Sequence, residues 1–469
     1  MVSLVRPLGP DLAEGPATIG GKAHGLVLLH RLGLAVPPGF VITTAACRAY
    51  RRDGRPPEEL EAEVDTALAA LERRTGRTLG GDPALTVSVR SGAAVSMPGM
   101  MTTVLGLGAP PGDGPAAGRA AARERLTEAV TAVLASWDAP RARTYRALHG
   151  LDDGAGTAVV VQAMVDGDRD DRSASGVAFD RDPVDGSPGP GGDVLFRSRG
   201  DAVVSGRALP LPLSALADRE PGAWADLERA LGRVRDHYRD ACYLEFTVES
   251  GRLWLLQVRR AGFTGTAAVR TAVDLARAGV LERAEALARV TPDDLERARR
   301  PVMAATAALW TRGTGAGPGV AAGRIATDSA AAVRLSASGP VVLVRPETSP
   351  ADMAGIAAAA GVLTARGGAS SHAAVVARSL GRPAVVGAAD LHVEPGRVRA
   401  GERWAAEGDL LTLDGTTGRV ALGVHPAVAP PADAAVRTLL SWADAVTGGA
   451  GDGVGDAERL AAARRLLGA

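Results

Sequence analysis

Hydrophobic and polar positions along the chain follow two periods, and the changes between them divide the chain into elements. From Ala23 to Leu32 the spacing is helical. The stretch from Gly33 to Thr44 breaks it, where Pro37-Pro38 forces an extended approach to a short β run. Pro57 to Arg74 reads as a charged amphipathic helix. Leu85 to Val89 reads as a buried strand ending on Arg90-Ser91-Gly92. Gly106 to Gly118 is a Gly-, Pro- and Ala-rich loop before a helix from Arg119 to Trp137. Thr157 to Val165 and Gly176 to Phe179 read as strands, and Gly186 to Gly192 as a surface loop. Tyr243 to Val248 and Arg252 to Val258 flank Glu249-Ser250-Gly251, a strong hairpin signal. Ala267 to Arg300 is helical, broken near Gly279 and Pro292. Residues 301–425 form a separate α/β block with strands Val341–Val344, Gly361–Thr364 and Ala384–Val386. After Pro431 come a helical stretch, a Gly-rich interruption from Gly448 to Gly455, and a last helix from Asp456 to Leu467. No internal repeat is visible.

Composition narrows the function. Hydrophobic residues make up 46% of the chain but aromatics only 3%, so the core must be built from Ala, Val and Leu. A length of 469 residues suggests about three domains. Fifty-three basic and 53 acidic residues cancel, which argues against a nucleic-acid or polybasic membrane partner. No apolar run approaches the ~18 residues of a membrane span, and the first twenty residues lack a basic stretch followed by an apolar one, so neither a span nor a secretion signal is expected. Cys47 and Cys242 cannot build a disulfide framework or a metal cluster, which fits a reducing cytosol and a cytoplasmic protein.

One count is uneven: of the 53 basic residues only Lys22 is lysine. Either Lys22 is an accident of drift toward arginine, or position 22 needs a compact charge on a flexible stem. Its setting, Ile19-Gly20-Gly21-Lys22-Ala23-His24-Gly25, reads as a turn opening a helix whose free N–H groups face a phosphate. The spacing is not Walker A.

Three further segments carry chemistry. Ser88 to Thr103 runs from a strand ending in Arg90 into a small-residue loop with hydroxyls. That suits an anion site, and equally an ordinary strand–loop–strand with a surface arginine. Glu245, Gln257 and Arg259 on a hairpin suit Mg²⁺ with nucleotide phosphate, through hard oxygen ligands, or else form a solvated strand pair. The sharpest is Leu363 to Arg378, which passes from a strand through Gly367-Gly368 into an apolar helix. Ser370 or Ser371 is the natural N-cap, and His372 stands in the first turn. A helix N-terminus keeps an imidazole neutral and nucleophilic, and stabilises a phosphoryl group carried on it. The other six histidines have no such setting.

These segments resemble the pyruvate phosphate dikinase family of phosphoenolpyruvate-utilising enzymes. The resemblance covers Arg90 to Thr103, Arg345-Pro346-Glu347-Thr348-Ser349-Pro350 and Gly367 to Arg378. It extends to Gly20-Gly21-Lys22, Ser136-Trp137-Asp138-Ala139-Pro140-Arg141, His237-Tyr238-Arg239-Asp240, and Glu245 with Gln257-Val258-Arg259. It implies an α/β fold: a two-lobed ATP-grasp-like nucleotide domain followed by a swivelling phosphohistidine domain. The lobes would be residues 1–135 and 136–262, followed by a helical linker (263–300), the phosphohistidine domain (301–426) and a helical tail (427–469).

The implied activity is a phosphotransferase with paired acceptors. The β-phosphoryl of ATP passes to His372, orthophosphate takes the γ, and AMP and pyrophosphate leave. By position, Lys22, Arg90, Gly99, Met100, Thr102, Thr103, Glu245, Gln257 and Arg259 would bind ATP. Glu245 and Gln257 would hold Mg²⁺, His372, Arg90 and Arg259 would be catalytic, and Ser370 stands where a regulatory threonine is common. The departures are also specific. The family's pyruvate-binding TIM barrel is expected to be missing, with residues 427–469 resembling its first elements. Tyr243 stands at a metal-site carboxylate, and Arg197-Ser198-Arg199 replaces an Asn-Ala-Gln run. The expectation is a half-dikinase, favoured as a monomer, whose phosphoryl acceptor is a small molecule or a separate barrel protein. The alternatives are an ATP-binding regulatory protein with little or no catalysis, and a fragment complemented in trans.

Overall fold

A computed structural model describes residues 3–97, 99–108, 115–198, 210–368, 371–430, 433–449 and 454–469. Its contacts divide the chain into two compact units, residues 1–166 with 252–259, and residues 167–251 with 260–469. Both are mixed α/β.

In the first unit, five antiparallel strands are ordered Val5–Pro7, Gly39–Ile42, Thr157–Ala163, Val87–Ala93 and Thr103–Leu107. The central Thr157–Ala163 strand is buried at every position, which explains its near-continuous apolar run. Helix Glu58–Thr75 turns Leu60, Val64, Leu68 and Leu71 inward at i, i+4 and i+3 spacing. Glutamates in its first turn and arginines in its last complement the helix dipole, and Gly76 closes it in the left-handed conformation. The helical pattern read through Trp137 ends earlier, as helix Pro115–Ala135 followed by a tighter turn, Ser136–Asp138. The strand read from Leu85 to Val89 and ending on Arg90-Ser91-Gly92 instead begins at Val87 and runs to Ala93. The small residues Ser91, Gly92 and Ala93 remain in the ladder opposite Val159, Ala158 and Thr157.

The second unit begins with antiparallel strands ordered Leu211–Pro212, Pro188–Phe196, Ala174–Arg181 and Cys242–Glu249. Here the expected loop from Gly186 to Gly192 is corrected, because strand Pro188–Phe196 begins inside it. Gly192, at φ 140°, lies where any Cβ would overlap the carbonyl oxygen of Val177. Glycine at this point marks close strand approach, not a turn. After Glu249, Ser250 (φ 50°) and Gly251 (φ 82°) make the left-handed pair of the expected two-residue turn.

The eight-stranded sheet farther along has a parallel centre: Val320–Ala326, Val341–Arg345, Gly361–Thr364 and Ala384–Val386. Helices Ser329–Ser336, Met353–Ala358 and His372–Ser379 are its crossovers. Their alanine-rich faces pack on Val341, Leu343, Val362 and Val386. Small side chains therefore replace aromatics by letting helix and sheet approach closely. Helices Thr266–Arg277, Arg283–Arg289, Pro292–Ala298, Ala434–Thr447 and Asp456–Leu466 share one apolar core, which includes Val273, Leu295, Leu439 and Leu460. The breaks fall at Gly279 and Pro292, as the pattern predicts. Among the described residues no helix is long and apolar enough to cross a membrane.

Asp180, buried in the Ala174–Arg181 strand, accepts the main-chain N–H of Cys242 at 2.7 Å. Burial nonetheless raises its carboxyl above the ordinary range. Folding therefore favours the protonated form. Its contribution is full below the unfolded value of about 4 and falls as pH rises through the folded one. Asp180→Asn is expected to gain stability relative to wild type between pH 4 and pH 7, read as urea midpoints. A difference that does not change with pH would show the carboxyl to be unshifted.

Candidate functional site

The first unit gathers most of the sequence candidates around one backbone contact. Helix Pro16–Arg31 is interrupted at Gly20 (φ 75°, ψ 155°), so a fresh helical turn begins at Gly21-Lys22. A Cβ on Gly20 would overlap the carbonyl oxygen of Gly92, and one on Gly21 would lie 3.1 Å from that of Ala94. A Cβ on Gly92 would in turn lie 3.4 Å from the Lys22 Cβ. Lys22, half-buried, is thereby set against the end of the Arg90 strand. One helical turn later a Cβ on Gly25 would lie 3.0 Å from the Val258 carbonyl oxygen, which places Gln257-Val258-Arg259 beside the same helix. Gln257 and Arg259 are half-buried.

Arg90 is 9% exposed, which rules out the surface-arginine reading. It sits between Val160 and Thr103 in the sheet, and its guanidinium donates to Gln162 Oε1 and, at 3.4 Å, to the Leu256 carbonyl. Gln162 is held in turn by donating to the Pro37 carbonyl at 2.8 Å. A planar fork fixed in this way holds its charge in one place, as phosphate recognition needs. Met97 and Met100 are buried, the N–H of Met100 bonds the Met97 carbonyl, and Gly99 takes a left-handed φ of 72°. Arg141 of the Ser136–Arg141 motif donates to the Met100 carbonyl at 2.9 Å. Thr103 is exposed and Thr102 half-buried.

The second unit holds Glu245 and the histidine loop. Glu245 pairs with Val177, which pairs with Asp193, so Glu245 and Asp193 share one row and one sheet face. Tyr243, two residues before Glu245, packs on Phe179 and donates its hydroxyl to Glu245 Oε1 at 3.2 Å. Gly368 abuts Asp193 so closely that a Cβ there would overlap the carboxylate. The Gly-Gly turn of the histidine loop thus rests on the strand bearing Asp193. Beyond it Ser371 is the N-cap of helix His372–Ser379, its hydroxyl accepting the Ala374 N–H at 3.5 Å. His372 is the first helical residue, following the carboxyl end of a parallel strand where sites of α/β sheets form. Its ring lies outside what the structure describes, and Ser370 lies outside the described residues. Glu347 of the Arg345–Pro350 motif pairs with Arg366 at 2.9 Å, and the Arg366 N–H bonds the Pro346 carbonyl. That motif therefore braces the segment leading to Gly367. Arg197 pairs with Asp171 at 2.9 Å on the surface, and Arg199 lies outside the described residues.

Among the described residues no three His, Cys, Asp or Glu side chains gather as a metal site. The oxygen donors nonetheless suit magnesium, which needs only one or two carboxylates when phosphates complete its shell. Glu245 is half-buried and the Tyr243 hydroxyl engages its Oε1. Two residues escaped the sequence reading. Gln162 had a signal, as a lone amide within the apolar run Thr157–Val165. Asp193 had none, because its place follows from strand register alone. Gly20→Ala combines a conformation that costs a side chain about 1–3 kcal/mol with overlap on Gly92. A loss of at least that size is expected in denaturant melts, whereas Gly191→Ala, with open space around its Cβ position, stays within ~1 kcal/mol of wild type.

Comparisons with known proteins give the family. Residues 52–220 match the pyruvate phosphate dikinase AMP/ATP-binding domain, and residues 337–418 the mobile domain of PEP-utilising enzymes. The chain is 35% identical to the pyruvate, phosphate dikinase of Rhizobium meliloti (strain 1021) over 95% of its own length and 60% of the relative's. It is 35% identical to pyruvate, phosphate dikinase 2 of Zea mays, over 91% of this chain and 58% of that one. For the chloroplastic pyruvate, phosphate dikinase 1 of Arabidopsis thaliana the identity is 34%, over 91% and 53%. The chain thus spans between half and two thirds of these relatives. With nucleotide-binding and mobile-domain matches in order along it, this chain belongs to the pyruvate phosphate dikinase family of phosphoenolpyruvate-utilising enzymes.

Proposed function

We propose that this protein is an ATP-dependent phosphotransferase that moves the β-phosphoryl group of ATP to His372 and then to an external acceptor. The observation that carries the reading is the placement of Lys22 against the buried, Gln162-oriented Arg90 strand by two glycines. Phosphoryl transfer depends chiefly on positioning and on neutralising charge in a water-poor site. Lys22 and Arg90 would bind the polyphosphate. Arg259, with the Gly99-Met100 turn and Thr102-Thr103, would complete its surroundings. Glu245 and Gln257 would hold Mg²⁺, which supplies charge neutralisation between phosphates. Asp193, on the Glu245 row, would add a carboxylate near the histidine loop.

His372 at the first position of a Ser371-capped helix is suited to carry the group. Free N–H groups of that first turn favour a phosphoryl anion, and the same dipole disfavours imidazolium. A neutral ring nitrogen then attacks the β-phosphorus. Orthophosphate takes the γ-phosphoryl, and AMP and pyrophosphate leave. The acceptor is a small molecule or a separate barrel protein, and the domain boundaries are those implied by the family resemblance. The Tyr243–Glu245 bond favours a second reading, an ATP-binding protein of weak catalysis, because a neutral hydroxyl occupies a carboxylate's place.

ATP labelled at the β-phosphorus, given with Mg²⁺ and phosphate, is expected to label wild type but not His372→Ala, and to yield AMP. An unlabelled wild type that still binds ATP would establish the second reading. Lys22→Arg retains charge but replaces the compact ammonium with a planar fork, and a fall in labelling of at least tenfold is expected. Labelling at the wild-type rate would show Lys22 to be an accident of composition.

A further inference from the structure

Within the first unit, helix Glu58–Thr75 carries a second stripe beside its leucines, the short side chains Ala62, Thr66 and Ala70 at i, i+4 and i+8. This stripe faces strand Val5–Pro7, the outermost of the five-stranded sheet. Val5 and Pro7 point to one face of that sheet, and Phe40, paired with Pro7, shares it. Helix and strand enclose a cavity of about 450 Å³ between them. That size falls within the roughly 300–1,000 Å³ of small-molecule sites. Of its lining, Val5, Phe40 and Leu71 are buried, whereas Pro7, Ala62 and Thr66 are exposed, so an apolar floor opens to solvent. The space exists because alanine stands at 67 and 70, where longer side chains would fill it.

Two charged side chains line the cavity, Glu63 and Arg74, and they differ in what they already bond. Glu63 Oε2 accepts the Ser3 hydroxyl at 2.6 Å and the N–H groups of Leu4 and Val5 at 2.8 and 2.9 Å. Burial alone would raise its carboxyl, but these bonds hold it below the ordinary range. Glu63 is thus an ionised group tied to the start of the strand. Arg74 lies eleven residues farther, about 16 Å along the helix axis at ~1.5 Å per residue. That separation exceeds the ~8–10 Å over which exposed charges act at physiological salt. Arg74 is exposed, and among the described residues no carboxylate pairs with it. His30 lies near enough that burial and then the charge of Arg74 lower its imidazole pKa. Carbonyls of the last helical turn offset part of the Arg74 charge and supply no counter-ion.

We propose that this cavity binds a free aliphatic monocarboxylate, with its carboxylate on Arg74 and its hydrocarbon along the Ala62–Thr66–Ala70 stripe. Charge selects the head, because a guanidinium fork pairs a carboxylate through two parallel bonds and repels an ammonium group. The lining selects the body. Val5, Pro7, Ala67 and Ala70 offer no side-chain donor or acceptor, so a hydrocarbon loses no hydrogen bond on entering. Glu63, at the other end, faces the hydrocarbon and stays clear of the head. A bound chain fills the gap between the helix and the outermost strand, and so stabilises the unit. No residue of the cavity is among those proposed to bind ATP or carry the phosphoryl group, so the assignment stands apart from that reading.

The test titrates the full chain with octanoate and with 1-octanol, which has the same chain length and no charge. Binding is read by calorimetry and by the shift in melting temperature. Wild type is expected to bind octanoate at least tenfold more tightly than 1-octanol. Arg74→Gln is expected to bind octanoate at least tenfold more weakly and 1-octanol as wild type does. Ala67→Leu fills the cavity and is expected to weaken both ligands at least tenfold. Without ligand it melts at or above wild type, so the loss does not come from unfolding. Should it melt lower, Ala70→Leu replaces it, and the exposed Arg74→Gln variant decides the outcome in either case. No binding by wild type, or equal octanoate binding by wild type and Arg74→Gln, overturns the site. Equal weakening of both ligands in Arg74→Gln overturns the carboxylate assignment. Dimerisation of wild type that Ala67→Leu abolishes, without octanoate binding, would give the cavity to a second copy of the chain and overturn the proposal.

Discussion

The nucleotide half of this protein depends on one contact between two backbones. Gly20 and Gly92 meet with no room for a side chain on the first of them, and the chain on either side is oriented by that meeting. Before Gly20 a helical turn opens at Pro16. After it a new turn begins, and Lys22 stands half-buried at its start. On the other partner, Gly92 continues a strand in which Arg90 is buried two residues earlier. A glycine in a conformation reserved for glycine, facing another glycine, thus sets the distance between two cations. The proposed anion binding depends on that spacing.

Around it, the buried polar groups hold one another, in the way the proposed phosphate site would need. Arg90 is held by Gln162, and Gln162 by the Pro37 carbonyl, so the guanidinium is committed before any ligand arrives. In the second unit the same logic applies to a carboxylate. Glu245 is oriented by the Tyr243 hydroxyl, and the histidine loop rests with Gly368 against Asp193. Tyr243 fills its place partly for packing, against Phe179. A tyrosine there orients Glu245, where in the proposed magnesium site a second acid would share the metal's charge.

Much of this was legible from the residues. The uneven lysine count, the Gly-Gly turns, the small-residue stretch after Arg90 and the two serines before His372 each carry a local physical signal. The switch from strand to helix placed a cap at Ser370 or Ser371, and the structure assigns it to Ser371. Where the reading failed, local composition misled. Gly186 to Gly192 looks like a surface loop because glycine and proline commonly make turns, yet strand Pro188–Phe196 begins there because Gly192 meets Val177 with no space for a side chain. The Arg90 strand looked finished at Ser91-Gly92 because small residues weaken strand patterns, yet pairing with Thr157–Ala163 carries it to Ala93.

The amino-acid order alone therefore carried most element types, the α/β class, and the motifs from which the family is read, since all of these arise from interactions among neighbours in the chain. Register and packing were needed for the rest. Asp193 joins Glu245 because both pair with Val177, one from each neighbouring strand. Gln162 meets Arg90 across residues 72 apart. The segments 263–300 and 427–469, which read as separate helices, share an apolar core. Such partnerships depend on surfaces that exist only after distant segments have packed. A pattern with a period of two or 3.6 residues carries no information about them.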